Sequence, residues 1–538
     1  MIARKSLLIV SSHFITRFLG WIGLVVLARM WADYAPDALG IIGYTMSFLA
    51  LFNIIGDLGF SRAHVKRISE GKDLGTCIGT FAVIKLVLSG IMLTILFVSL
   101  FIWKTVFNQG FDDATTEPVI MVFALYYVFL NLTHIASFTF EGKQEIAKRQ
   151  IVQIFEAVKT PLMIMVAFAG VGVAGREARV GWPEFLEPVQ IFITKHALGS
   201  LAMTYTIAMI ATFLVGMWLL RKYPIKKPTK AYLKSYFIFA IPIMLFSIIG
   251  IISLNIDKIM IGYYWTETEV GYYFSIQQIL QIIMVLYLAV GTVLFPTISK
   301  LDSKKNLDKI KKTTLLAERY ISMIMIPPIV VIIVLAHPVI NIFLSSVFIP
   351  AASVLIVLSI YIFIFSLNRP YSALITGMNR PGITAKIGLL ICLVNIPLNF
   401  LFIPHTGLLS PFGINGPTGA AVATLCSVLV GFIGLRYSAR KLSGIKLLQT
   451  HTLRHIIAGF IMGVVLHLIA IRTTWFPDVY WYFLLMFAGI GLAIYLSVLF
   501  LLREFNKNDF NFFLDILHPE KMLKYVSTEL KDKPREKK

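Results

Sequence analysis

Five basic side chains stand inside long apolar stretches of the sequence: Arg17, Lys85 and Lys159, with Arg29 and Lys258 closer to the stretch ends. A charge at the middle of a bilayer costs on the order of 2.5–3.5 kcal/mol, so each needs a reason to be there. Guanidinium forks and ammonium groups are the side chains that hold phosphate oxygens. The chemistry these residue types offer is therefore capture of an anion on the wall of a water-filled cavity, since a bare diphosphate cannot enter hydrocarbon unpaired.

Each cation also has a plainer reading. Lys85 can snorkel to the headgroups. Lys159 has Glu156 at i−3 and can pair with it on its own helix. Arg29 has the place of an interface anchor, and Lys258 adjoins Asp257 as a structural pair. Asp57 stands between Gly56 and Gly59, ahead of Arg62 and Lys66, in the position of a helix-end clamp. His13, one turn before Arg17, either packs or modulates it. Arg17, roughly 15 Å into its stretch at 1.5 Å per residue, reaches neither interface and is the first candidate.

The elements that must position these residues follow from composition. Hydrophobic residues make up 57% of the 538 positions and charged residues 14%, with mean hydropathy +0.80, which describes an all-α integral membrane protein. Apolar runs long enough to cross a core of about 30 Å lie near 7–30, 39–60, 77–103, 117–140, 151–174, 198–220, 235–261, 271–298, 320–345, 348–367, 384–404, 417–438, 453–471 and 480–502. That is about fourteen crossings. The cut between the two runs flanking Pro350 is open.

Loop charge tests this division independently. With Arg4 and Lys5 inside, cations gather in alternate loops: Arg62 to Lys72, Lys143 to Arg149, Arg221 to Lys234, Lys300 to Arg319, Arg369 to Lys386, Arg436 to Arg454, and the tail. The intervening loops hold only Lys104, Arg176, Arg179, Lys195 and Arg472. This is the positive-inside pattern, with both termini cytoplasmic and the chain in the cell membrane. The net charge of +21 thus needs no nucleic acid, and no basic, aromatic-interleaved soluble domain is present to bind one. The first run, too long for a signal-peptide core, reads as an uncleaved span.

Motifs for chemical catalysis are missing: there is no G-x-x-x-x-G-K-[ST], no H-E-x-x-H and no G-x-S-x-G. Cys77, Cys392 and Cys426 fall in or beside spans and imply neither disulfide nor metal. No cofactor and no catalytic residue is expected, so movement of a cargo has to draw on an ion gradient, the membrane potential or product consumption. Whether H+ or Na+ is coupled stays open.

Internal repetition organises the spans. Leu39-Gly40-Ile41 faces Val270-Gly271-Tyr272, Val65–Ser69 faces 295–299, Glu141-Gly142-Lys143-Gln144 faces Thr376-Gly377-Met378-Asn379, and Pro161 faces Pro397, at offsets of about 230 to 236. Spans one to six thus repeat as seven to twelve in the same orientation, giving two six-helix lobes around a central cavity plus two extra C-terminal helices. The division is 1–222, 223–446, 447–503 and a basic, amphipathic tail at 504–538, with Phe510, Phe512, Phe513, Leu514, Ile516 and Leu517 on the inner leaflet.

Gly56-Asp57-Leu58-Gly59-Phe60, Asn255-Ile256-Asp257-Lys258 with Gly262, and Glu269-Val270-Gly271 stand in that order along the chain. They are followed by Pro296-Thr297-Ile298-Ser299, Asn395 to Asn399 with Ile403-Pro404, and Gly419-Ala420-Ala421-Val422-Ala423-Thr424. In this order and spacing the chain resembles the lipid-linked oligosaccharide flippases of the polysaccharide transporter family, in the superfamily that also holds the multidrug and toxin extrusion carriers. The resemblance implies alternating access by a monomer and a cargo made of a polyisoprenyl (di)phosphate joined to a glycan. Glycan-assembly enzymes are the partners it would bring. Loops between Gly175 and His196 and between His405 and Gly416 depart from the family pattern. A multidrug extruder of the same fold, which would need unpaired carboxylates in its spans, and a membrane glycan polymerase are the competing readings.

Overall fold

A computed structural model describes the chain except residues 1, 109, 112, 175–186, 303–305, 473–480, 506–508 and 510–538. The amphipathic stretch at 510–517, Arg176, Arg179 and much of the first long loop lie outside the described residues. The described residues form helices and their connections, without a strand.

The first lobe contains α1 (Ile2–Trp31), α2 (Ala35–Asp57), α3 (Phe60–Ser69), α4 (Leu74–Thr105), α5 (Thr116–Gly142), α6 (Ile146–Ile154), α7 (Lys159–Ala169), α8 (Glu187–Lys195) and α9 (Ala197–Leu220). After α10 (Lys230–Tyr264) come α11 (Glu267–Asp302), α12 (Leu307–Val334), α13 (Ala336–Phe343), α14 (Ala352–Gly377), α15 (Pro381–Phe402) and α16 (Gly416–Ser443), then α17 (Thr450–Arg472) and α18 (Trp481–Leu501). Among the described residues, twelve helical stretches are long and apolar enough to cross a membrane. One of them, Ser11–Asp57, holds both α1 and α2; separating these and adding the 35-residue α10 gives the fourteen spans. The break beside Pro350 falls after α13, where the chain leaves the helix at Leu344 and turns through Ser346–Ala351 before α14.

Local sequence explains the interruptions that matter. Pro161 has no N–H for the carbonyl four residues earlier and its ring crowds that position, so the fifth span passes through a 3-10 turn at Phe155–Val158 between α6 and α7. That turn carries Glu156 and leads directly into Lys159. The second span stops where Leu58 (φ 43°) and Gly59 (φ 81°) enter the left-handed region, and α3 leaves at a new angle.

Packing shows a cleft closed at one end. The largest buried cluster is continuous across both lobes, taking in Leu27, Trp31, Ile41, Val270, Ile340 and Phe348. Towards the cation-rich loops it gives way to two separate cores. One holds Phe60, Phe81, Phe140, Val152 and Leu220; the other holds Leu294, Ile310, Leu374, Ile387 and Leu435. At the closed end α2 and α11 cross backbone on backbone. A Cβ on Gly40 would lie 1.8 Å from the Glu267 carbonyl oxygen, and one on Gly271 would lie 1.9 Å from that of Pro36. Both partners are four residues before the opposing glycine, so the contact is two-fold symmetric and joins the very positions matched by the sequence repeat. Asp37 accepts a hydrogen bond from Thr268 beside it.

Two attachments complete the frame. The linker before α10 lies across α4: Lys226 N donates to the Gly75 carbonyl at 3.0 Å, and a Cβ on Gly79 would meet the Lys226 oxygen at 1.8 Å. Tyr236 and Ala240 of α10 then belong to the first lobe's core, with the Tyr236 hydroxyl 2.8 Å from His64 Nδ1. Further along, α10 packs on the second lobe through Asp257. The appended pair is tied to α12 by Gly459 against Ile326 and Gly463 against Val330. Charge locks the same junction: Arg319 pairs with Glu504 at 2.8 Å and Asp509 at 2.7 Å, and Arg454 with Glu504 at 2.8 Å.

The symmetric crossing predicts that Gly40→Ala or Gly271→Ala forces α2 and α11 apart, destabilising the protein by about 1–3 kcal/mol. Thermal unfolding in detergent checks it; variants as stable as the parent would contradict the crossing.

Candidate substrate-binding cleft

Where the two lobes part, a cavity of about 160 Å³ is lined by residues of α1, α2, α5, α9 and α11 together with the α6–α7 turn. Arg17, Lys159, Glu156 and His13 all line it, with Gln153, Tyr126, Tyr205 and Gln278. One irregularity helps to bring these groups together: the turn before Pro161 places Glu156 and Lys159 on the cavity. Lys159 Nζ lies 3.2 Å from Glu156 Oε1 and 5.2 Å from the centre of the Tyr205 ring. His13 Nδ1 is 3.5 Å from Gln153 Nε2.

Arg17 is exposed to the cleft and donates to Gln281 of α11, across the lobe boundary. Among the described residues no carboxylate lies within 4.0 Å of it, whereas Lys159 has Glu156. The cavity therefore offers one uncompensated guanidinium and one ammonium held by a local partner, in a setting rich in amide and phenol groups. Such a wall can accept an anion, with Lys159 free to exchange Glu156 for it.

The other candidates are elsewhere. Lys85 is fully buried in the first lobe, 2.5 Å from Asp57 Oδ1, 2.9 Å from the Gly56 carbonyl and 3.3 Å from Asn131 Oδ1. It neutralises Asp57 and occupies the C-terminal end of α2, whose last carbonyls lack intrahelical donors. It neither snorkels nor lines the cavity. Arg29 sits at the closed end and donates to the Asn341 and Ile342 carbonyls at the end of α13. Lys258 is buried and donates to the Leu254 carbonyl and to Gln277 Oε1, each at 3.0 Å. Asp257 turns away from it, accepting from Tyr273, Asn399 and Thr424 at 2.7 Å each. The adjacent pair is thus two separate anchors, joining α10 to α11, α15 and α16.

Several cleft residues escaped the reading by charge. Gln278 and Gln281, with Gln277, form a polar run in an otherwise apolar span, and that clustering was the available signal. Arg369 was assigned to a loop because the apolar run stops at Leu367; in fact α14 continues to Gly377 and holds Arg369 within the helix.

A family model described as "Polysaccharide biosynthesis protein" matches residues 2–302, and one described as MatE matches residues 242–401. A Haloferax volcanii protein described as "Probable low-salt glycan biosynthesis flippase Agl15" is 23% identical over 435 residues, covering 80% of this chain and 82% of that one. Another from the same organism, "Probable flippase AglR", is 27% identical over 181 residues, 33% of this chain and 36% of its own length. Among solved structures the fold is similar to a lipid II flippase MurJ in an inward closed conformation, with TM-score 0.69, 18% identity and coverage of 90% of this chain and 96% of that one. It is also similar to an inward-facing multidrug resistance MATE family transporter, with TM-score 0.60, 15% identity and coverage of 80% and 99%.

Placement of the cations separates two effects. Lys85→Met leaves Asp57 without its counter-ion and is expected to destabilise the fold by about 3 kcal/mol. Arg17→Gln, on an open wall, is expected to stay within about 0.5 kcal/mol of the parent. Paired unfolding curves check this; equal losses would contradict the assignment.

Proposed function

The chain belongs to the polysaccharide biosynthesis protein family, and from that premise we propose that it is a flippase carrying a polyisoprenyl-(di)phosphate-linked glycan from the cytoplasmic to the outer leaflet. The observation that carries this reading is Arg17: an arginine inside a span, open to the cleft between the lobes and without a carboxylate within reach. An anionic head group supplies the missing counter-charge. The relatedness to Agl15 over four-fifths of both chains points to the same kind of cargo.

In this reading the cation-rich loops face the cytoplasm, both termini are inside, and the Gly40–Gly271 crossing closes the outer end. The lobes are 1–222 and 223–446, with 447–503 appended. The phosphate enters between the separate cores, meets Arg17, and displaces Glu156 from Lys159. The glycan stays in water and the isoprenoid remains in lipid. Arg29, Lys85 and Lys258 hold helices in place. Rocking of the lobes then breaks the outer crossing and releases the head group. No bond of the cargo changes, so this is transport and not catalysis, and the chain acts as a monomer in the cell membrane.

A multidrug extruder is the second reading, favoured by the MatE match. It would need a free carboxylate for a cationic drug, and the cavity's Glu156 is already paired with Lys159.

Two outcomes test the proposal in proteoliposomes. Arg17→Gln is expected to lower translocation of a polyprenyl diphosphate-linked sugar at least about tenfold, the worth of one charge-assisted hydrogen bond; unchanged flux would refute the head-group role. An inside-negative potential favours outward movement of negative charge by about 2.3 kcal/mol per charge per 100 mV. Collapsing it should therefore slow outward flux, and flux indifferent to the potential would rule that drive out.

A further inference from the structure

Four cations within the helices are answered by a carboxylate: Lys85 by Asp57, Lys159 by Glu156, Arg319 by Glu504 and Asp509, Arg436 by Glu318. Arg369, on α14 of the second lobe, is not. Among the described residues no carboxylate lies within 4.0 Å of it, and its Nε is buried without a hydrogen-bond partner. Eight residues separate it from the end of α14 at Gly377, which sets it about 12 Å along the helix from that end. An arginine within a long apolar helix and without a counter-ion repeats what marks Arg17.

What surrounds Arg369 is aromatic. Its guanidinium carbon lies 4.6 Å from the centre of the Phe365 ring and 5.5 Å from that of Tyr287 on α11. Two aromatic rings beside a guanidinium steady it without neutralising its charge, and the buried Nε of Arg369 keeps an unused donor. It is an arrangement that orients a fork for an oxyanion.

The repeat strengthens the case. At the offset of 235 that relates Glu141–Gln144 to Thr376–Asn379, Tyr361 corresponds to Tyr126, which lines the cavity, and Arg369 to His134, which sits 3.5 Å from Lys85 Nζ. At an offset of 234 Lys85 itself faces Arg319, which Glu504 and Asp509 pair, so Arg369 is a further cation of the second lobe where the first lobe has a histidine.

We propose that Arg369, stacked on Phe365 and Tyr287, is a second phosphate-binding residue, which takes the anionic head group from the second-lobe wall before it reaches Arg17. Position along α11 sets the order. Arg17 reaches Gln281, and Arg369 lies over Tyr287, six residues or about 9 Å nearer the cation-rich end. This rests on the flippase reading above.

The test is binding of geranylgeranyl diphosphate, with geranylgeraniol as the uncharged control, to the full chain in nanodiscs. Arg369→Gln is expected to weaken diphosphate binding at least about tenfold and leave the alcohol unaffected. Arg369→Lys keeps the charge but loses the planar fork, and should fall between. Unchanged diphosphate affinity in Arg369→Gln, or equal weakening towards both probes, would overturn the inference. If Arg369→Gln does not fold, Arg369→Lys decides alone: weaker diphosphate binding upholds the role and wild-type affinity overturns it. The flippase reading fails separately, if the wild-type chain binds the alcohol as tightly as the diphosphate.

Discussion

Hydrocarbon does not tolerate an unanswered charge, and the surroundings of the ionisable groups within the described helices follow from that. Three solutions are used. Some charges are paired and buried, as Lys85 with Asp57 and Arg436 with Glu318, where each pair also holds helix ends or neighbouring spans together. Some are satisfied by oxygens that are not charged, as Lys258 by a carbonyl and a glutamine amide. Arg17 lines the cavity between the lobes and Arg369 lies beside Phe365 and Tyr287, each without a carboxylate within 4.0 Å among the described residues.

The separation itself depends on glycine. Because Gly40 and Gly271 carry no side chain, α2 and α11 can touch backbone to backbone, and one close crossing draws the two lobes into a single core at that end. At the cation-rich end the described residues form two separate cores, with the linker before α10 laid across α4 on the first of them. Tightness at one end and independence at the other are what a carrier needs, since the first can be exchanged for the second by rotation about the middle.

Much of this was legible in the sequence. The span count and the place of Arg17 on the cavity wall follow from apolar length, loop charge and depth, all of which are properties of one segment at a time. The pairing of Glu156 with Lys159 was readable for the same reason, since both lie on one helix. What could not be read were contacts between segments. Lys85 looks like Lys159 in sequence, yet its partner is on another helix, and only packing shows that it faces a core and not the cleft. Asp257 and Lys258 adjoin in sequence and bond in different directions. Polarity after Leu367 reads as the end of a span, whereas packing carries α14 on for another ten residues to Gly377 and keeps Arg369 within it.

The attachment of α10 has a mechanical corollary. Near Tyr236 the helix is embedded in one core, and near Asp257 it is fastened to the other. It behaves as a beam clamped at both ends, so any rotation between the cores must appear as curvature in the segment between them. That segment includes Pro242 and Gly250, the residue types at which helices bend most readily. One helix thus links the angle between the two cores to its own straightness, so that a turn of either core has to be taken up along α10.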